Sequence, residues 1–356
     1  MVPAERMSGL TALGYGPFFS QQLDLEAEAG LRPARVLADL GARLLLGLGG
    51  EERLALLPAP LRGQAAVGDW VVCQPLPGGE AVLRRVLARR SAVSRQAAGA
   101  ATAEQVMAAN VDLLLVVHGL DAPPNLRRLE RTLTAVRASG ATPAVLLTKA
   151  DRCPDVAAAL AAVRAAAPGV AVLASAAARG TGLSEVLALL PAGTTGALIG
   201  PSGAGKSTLL NALLGREAEA TSPLAPDGRG RHTTTHRRLW ALPGGGLLVD
   251  GPGIRELQLW DGAGLEAAFA DLQALAAGCR FSDCRHGDEP GCAVRAAVED
   301  GRLDRERLES YHKLAAEAGA LAARHDAAAR QAARREAKVL GRAKKAVQRR
   351  RHDPEA

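Results

Sequence analysis

A small N-terminal β-barrel, a central parallel α/β domain around a phosphate-binding loop, and a helical C-terminal domain with clustered cysteines make up the multidomain fold that this sequence predicts. Three observations carry the prediction. Residues 33–91 hold short apolar pieces broken by Gly and Pro at turn spacing. Strand-like and helix-like segments then alternate up to Gly200-Pro201-Ser202-Gly203-Ala204-Gly205-Lys206-Ser207-Thr208, which fits Gly, four residues, Gly-Lys-Ser. Beyond it, Cys279, Cys284 and Cys292 fall close together.

In chain order, residues 1–30 contain Tyr15, Phe18 and Phe19 but no motif with a mechanism, and they read as an N-terminal extension. A barrel over residues 31–95 is expected from Ala34–Leu37, Arg43–Leu46, Asp69–Val72 and Ala81–Val86. Arg84, Arg85, Arg89 and Arg90 give its end a basic edge, which suits either an oligonucleotide-binding barrel or plain solvated surface. Residues 92–110 read as a connector. The apolar run Leu113–Val117 then suits a buried parallel strand. Helix over Leu126–Val136, strand Ala144–Leu147, helix Val156–Ala166, strand Val170–Leu173 and helix Leu183–Leu190 follow, so residues 96–260 are expected to form a parallel sheet with crossover helices.

The phosphate loop lies between the apolar Ala197–Ile199 and an amphipathic Thr208–Leu214 closed by Gly215, the strand–loop–helix order such a loop requires. Glycines there let backbone N–H groups reach phosphate oxygens, and the helix turns its positive end toward them. Lys206 can set a cation against the β- and γ-phosphates, and the Ser207 hydroxyl can ligate the bridging Mg²⁺. Thr148-Lys149-Ala150-Asp151 follows a strand directly: Asp151 can accept from guanine N1–H and its amino group while the Lys149 stem covers the base. Ser175-Ala176 also follows a strand and offers a backbone N–H to the guanine carbonyl oxygen, a signal that is weak alone.

Arg229-Gly230-Arg231-His232-Thr233-Thr234-Thr235-His236 can supply a second Mg²⁺ hydroxyl, assigned to Thr234. In Asp250-Gly251-Pro252-Gly253, Asp250 can hold Mg²⁺ through water and the Gly253 N–H can contact the γ-phosphate. Taken singly, these pieces also read as a solvent loop and a turn. Together they read as a nucleoside triphosphate site with switch-like parts.

Composition bounds the remaining choices. With 356 residues, 48% of them hydrophobic, the chain can bury sizeable cores. No run approaches the roughly 18 apolar residues of a membrane span, and the N-terminus lacks a signal-peptide core, so a cytoplasmic protein without a membrane partner is expected. Five cysteines argue against a disulfide framework; the cluster favours metal, and Cys73 and Cys153 read as small buried or incidental residues. From Ala327 onward ten basic side chains face three acidic ones, a surplus equal to the formal net charge of +7 of the whole chain. This tail, residues 327–356, suggests a polyanionic partner or a solvated arm.

The motif order resembles the circularly permuted GTPases, specifically the ribosome small-subunit-dependent GTPase A (RsgA) family. Thr148–Asp151 and Ser175-Ala176 precede the phosphate loop here, whereas ordinary GTPases place the base-reading motif after it. Cys279–Val294 is similar to the family's zinc segment, with Cys279, Cys284, His286 and Cys292 suiting one closed, tetrahedral structural zinc. The resemblance implies an oligonucleotide-binding barrel, a permuted GTPase domain, and a zinc-binding helical domain over residues 261–326. It further implies a monomer that binds GTP and GDP and docks on the small (30S) ribosomal subunit and its rRNA during late maturation. Two positions depart from common GTPase patterns: Thr148 stands where many have Asn, and Ile254 where many have a water-orienting Gln. His232 is therefore the candidate to orient water once the subunit is bound. A P-loop ATPase or kinase, and an RNA-binding protein using GTP only as a conformational ligand, are the alternative classes.

Overall fold

The computed structural model describes residues 9–23, 30–96, 104–215, 237–250, 265–316, 318–320 and 323. The expectations for His232, Thr233–Thr235, Gly251–Gly253, Ile254 and the basic tail lie outside the described residues.

Five strands close the barrel: β1 (Arg32–Asp39), β2 (Arg43–Gly47), β3 (Glu52–Leu56), β4 (Trp70–Pro75) and β5 (Glu80–Val86). They run in the order β1-β2-β3-β5-β4, and β4 returns to pair with β1. Only β3 and β5 pair in parallel. Alternate residues, among them Val36, Leu44, Leu46, Val71 and Leu83, fill the interior. Strand β3 has no counterpart among the expected pieces because its large Leu54 and Leu56 face outward and only small Ala55 faces in.

The N-terminal segment is structural. Leu10, Tyr15 and Phe19 are buried with Trp70, Val72 and Leu87, and the Tyr15 and Phe19 rings lie 4.8 and 5.6 Å from Trp70. Fully buried Arg35 joins three parts of the chain, donating to the carbonyls of Leu13, Gly68 (3.2 Å) and Asn110 (3.1 Å). The arginines of the basic edge expected at the barrel's end make contacts within the molecule, with Arg84 and Arg90 exposed and Arg85 and Arg89 half-buried. Arg89 pairs with buried Asp69 at 2.7 Å, Arg90 with Asp112 at 3.1 Å, Arg85 donates to the Gln22 carbonyl and Arg84 to Gln74. Each arginine here has a nearby acceptor, which a charge pattern alone does not reveal.

The expected connector contains a hairpin, β6 (Ala92–Gln96) against β7 (Glu104–Ala109). Its Ala-rich pieces carry little strand propensity. Burial of Val93, Met107 and Ala108 in the α/β core supplies the stabilisation.

Six strands build the central sheet: β8 (Leu113–Gly119), β9 (Thr142–Thr148), β10 (Ala171–Ala174), β11 (Thr195–Ile199), β12 (Arg238–Ala241) and β13 (Leu247–Asp250). Their spatial order is β10-β9-β8-β11-β13-β12, parallel except for β12. The apolar β8 serves both faces, Leu114 and Val116 toward one core and Leu113, Leu115 and Val117 toward the other. Helices Leu126–Ala138 and Val156–Ala166 support one face, Leu183–Ala188 and Lys206–Leu214 the other. At its edge, β12 meets β1 through Arg238 opposite Ala38, and Leu37 enters the α/β core.

The C-terminal part packs helices Leu265–Ala268, Ala270–Ala276, Ala293–Glu299 and a helix over 305–316 around Phe269, Leu272, Val294 and Leu314. Ala135 of the Leu126–Ala138 helix joins this core. Among the described residues no helix is long and apolar enough to cross a membrane.

Candidate nucleotide site and metal centre

Strands β8, β9 and β10 step outward from the middle of the sheet to one edge, and the chain then returns to the middle as β11. Between β8 and β11 the strand order reverses. In open α/β sheets the crevice beyond the carboxyl ends at such a point is where ligands bind. The phosphate loop leaves β11 there, flanked on one side by the loops after β9 and β10 and on the other by Asp250 at the end of β13.

The loop's shape depends on Gly200, whose φ is +149° and where a Cβ would lie 2.2 Å from the Val117 carbonyl oxygen. Gly205 caps the helix Lys206–Leu214 in a left-handed conformation, so the helix presents its free N–H groups to the loop. Lys206 folds over this nest, its Nζ donating to the carbonyls of Gly200 (2.8 Å) and Pro201 (2.7 Å). Ser207 and Thr208 follow, half-buried in the first turn, and Ala204 is buried beneath the loop; Ser202 is exposed on it, and Gly203 takes a positive φ.

On the base side, the loops are bonded to one another. The Ala150 N–H donates to the Ser175 carbonyl at 3.1 Å, and the Ser175 N–H donates to Leu147 at 2.8 Å. Thr148 is buried, its hydroxyl bonded to the Ala204 carbonyl of the phosphate loop and 3.2 Å from that of His118. This residue therefore ties the base-side loop to the phosphate loop. Lys149 has a left-handed φ of 56° and an ion pair to Asp121 at 2.6 Å. Asp151 meets the exposed Arg179 at 3.5 Å. The Ala176 N–H, expected to face the guanine carbonyl, donates to the Thr181 carbonyl at 3.1 Å. That amide is engaged by a local bridge. Asp121 and Arg179 were not among the residues singled out from sequence; the turn signal Asp121-Ala122-Pro123-Pro124 directly after a parallel strand was the available clue for the first.

In the C-terminal domain, Cys279, Cys284, His286 and Cys292 converge, their ligand atoms all within 4.8 Å of one another. Cys279 Sγ lies 3.7 Å and Cys292 Sγ 3.6 Å from His286 Nδ1, and the two sulfurs are 4.0 Å apart. Such edges match a tetrahedron of roughly 2.3 Å metal–sulfur and 2.0 Å metal–nitrogen bonds. Desolvation pushes the Cys279 thiol up, but the N–H groups of Val294 and Ala293 outweigh it and its pKa falls below the ordinary value. The Arg295 N–H reaches Cys292 Sγ at 3.4 Å at the start of helix Ala293–Glu299. For Cys284 the His286 N–H favours the thiolate, yet desolvation and the neighbouring thiols push it up to about 11. Crowded sulfurs of this kind cannot all ionise without a cation among them. The donor set fits a divalent metal with four protein ligands and leaves no open position for catalysis.

Base-side loops that come before the phosphate loop in the chain, yet flank it in space, make this a circularly permuted P-loop GTPase. The chain belongs to the RsgA family: the profile of the RsgA GTPase matches residues 86–260. It is 45% identical over 336 residues to the small ribosomal subunit biogenesis GTPase RsgA of Opitutus terrae, covering 89% of this chain and 92% of that protein. With the protein of the same name from Streptomyces coelicolor it shares 43% over 343 residues, 94% and 93% of the two chains. The crystal structure of YjeQ from Thermotoga maritima superposes with a TM-score of 0.60 at 26% identity, over 81% of this chain and 98% of that one. YloQ, a circularly permuted GTPase, superposes with a TM-score of 0.60 at 23% identity over 83% and 98%, and supports the fold alone.

Proposed function

We propose that this GTPase docks on the small ribosomal subunit and couples GTP hydrolysis to a late step of its maturation, contacting rRNA. The observation that carries the reading is the phosphate nest bonded through Thr148 to a base-side loop that ends in Asp151. The chain's similarity along most of its length to subunit biogenesis GTPases supplies the partner.

In this reading, loop N–H groups and Lys206 hold and neutralise the phosphates, and Asp151 with Lys149 selects guanine. Ser207, Thr234 and Asp250 would hold Mg²⁺, which when bound would offset phosphate charge. His232 orients the attacking water for in-line displacement at the γ-phosphate, releasing GDP and phosphate. Cys279, Cys284, His286 and Cys292 would hold one zinc per chain, which would clip a polar loop to the helical domain. The chain acts as a cytoplasmic monomer.

The arginines of the barrel's edge are engaged within the molecule, so the basic tail, with its ten positive side chains, is assigned the main electrostatic role in docking. Co-sedimentation with purified small subunits tests this. Retention with a non-hydrolysable GTP analogue, loss with GDP, and weaker binding at higher salt are expected. Binding indifferent to nucleotide would refute the coupling.

A further inference from the structure

We infer that Asp121 is a positioning residue for the base-binding loop: its carboxylate anchors the Lys149 ammonium so that the lysine stem is set across the purine before nucleotide arrives. The inference rests on the reading that Lys149 and Asp151 hold guanine. Lys149 Nζ lies 2.6 Å from Asp121 Oδ2, and the lysine side chain is only 17% exposed against 44% for the aspartate. The lysine is thus the held group and the aspartate its rim-side anchor.

The backbone is built to place that carboxylate. Strands β8 and β9 stay in register through Gly119 opposite Thr148, and the Leu120 N–H donates to the Thr148 carbonyl at 2.9 Å. Asp121 is therefore fixed one residue past the last cross-strand bond, on the loop beside Lys149. A Cβ on Gly119 would lie 2.6 Å from Asp121 Oδ1 and 3.4 Å from Lys149 Cδ and Cε, so glycine leaves room for both partners. Burial pushes the Asp121 carboxyl up, but the hydrogen bond and charge of Lys149, its own backbone N–H and the Arg152 charge together outweigh it and hold the group below the ordinary carboxylate range. It stays ionised at neutral pH.

A lysine stem that must freeze several rotatable bonds when the base arrives loses affinity to that ordering, and an anchor in place beforehand removes the loss. The other ion pair at this end behaves differently. Arg179 engages Asp151, the carboxylate that the base itself requires, and must open, whereas the Lys149 pair sits at the far end of the stem and can persist.

The test is a double-mutant cycle on the Kd for fluorescent GDP, using the full chain as wild type, Asp121→Ala, Lys149→Met and the double variant. Asp121→Ala is expected to raise Kd by roughly 3- to 10-fold, as for a charge-assisted pair at a partly exposed site. The double variant should bind as Lys149→Met does, and Asp121→Glu should recover most of the loss. Asp121→Asn, which keeps the loop's shape, should lose the same affinity as Asp121→Ala. Unchanged affinity in both Asp121 variants, or losses that multiply in the double variant, would overturn the inference. Competition with ADP separates it from the reading beneath it: wild type that binds ADP as well as GDP refutes guanine recognition, while GDP-selective binding indifferent to Asp121 refutes the anchor alone.

Discussion

Thr148 looks from sequence like a weakened base contact, a hydroxyl where an amide is common. In the fold it is buried and bonds to Ala204 and His118, a neighbour across the fold that no local pattern contains. Thr148→Val keeps shape but leaves the Ala204 carbonyl without its donor, and is expected to cost about 1–3 kcal/mol in urea denaturation, with weaker GDP binding. A variant of wild-type stability would contradict the role. Other residues were legible for the opposite reason. Gly200, Lys206 and Ser207 fall within one short run whose residue types and spacing suit phosphate and Mg²⁺, so the motif alone suggests their chemistry. Arg35 was invisible because its three carbonyl partners come from Leu13, Gly68 and Asn110, far apart in the chain.

Two elements of the C-terminal domain make separate claims. The cysteine–histidine knuckle was readable because metal ligation demands particular side chains at short spacing. Metal analysis should find about one zinc per chain, lost in Cys284→Ser, with the helices around Phe269 opening while the central sheet stays folded; a folded, metal-free wild type would contradict this. The second claim concerns Arg307, from the helix over 305–316. It reaches Glu130 at 2.7 Å and Asp271 at 2.5 Å and lies over the Phe269 ring. This pins the domain to helix Leu126–Ala138.

Replacing it by Met leaves the half-buried Glu130 without its partner, at a cost of about 1–3 kcal/mol to the docked state. Although burial pushes the Asp271 carboxyl up, its bonds to Arg307 hold it below the ordinary value of 3.8. Its stabilisation is therefore fully present above that pH and lost as pH falls through the lowered folded value. The difference in stability between wild type and Asp271→Asn should be constant above a pH of about 3.8 and shrink below it. The hairpin β6–β7 and strand β3 were the elements sequence missed. In β3 only small Ala55 faces inward, and the hairpin's few apolar residues, Val93 and Met107 among them, sit among polar and Ala positions, so neither gives a periodic signal until the core it fills is known.

At the scale of the molecule, the order of motifs carried the most information. A base-side loop preceding the phosphate loop fits one sheet if the chain begins mid-fold, and β10-β9-β8-β11-β13-β12 is that sheet. The same order places Asp250 just before the C-terminal domain in the sequence, and that domain packs on helix Leu126–Ala138. What sequence left open was how the barrel joins the rest: Arg35 bonds to the Leu13 and Asn110 carbonyls, and Arg90 pairs with Asp112.

The central claim is a guanine-selective site whose turnover answers to the ribosomal subunit. Steady-state phosphate release from GTP and from ATP, with and without purified small subunits and at two salt concentrations, tests it most directly. GTP should be preferred, by as much as roughly 10⁴ where buried polar groups would be left unpaired by adenine. Turnover should be slow alone and rise with subunits, the rise fading with salt. Equal use of ATP, or turnover indifferent to subunits, would contradict the account.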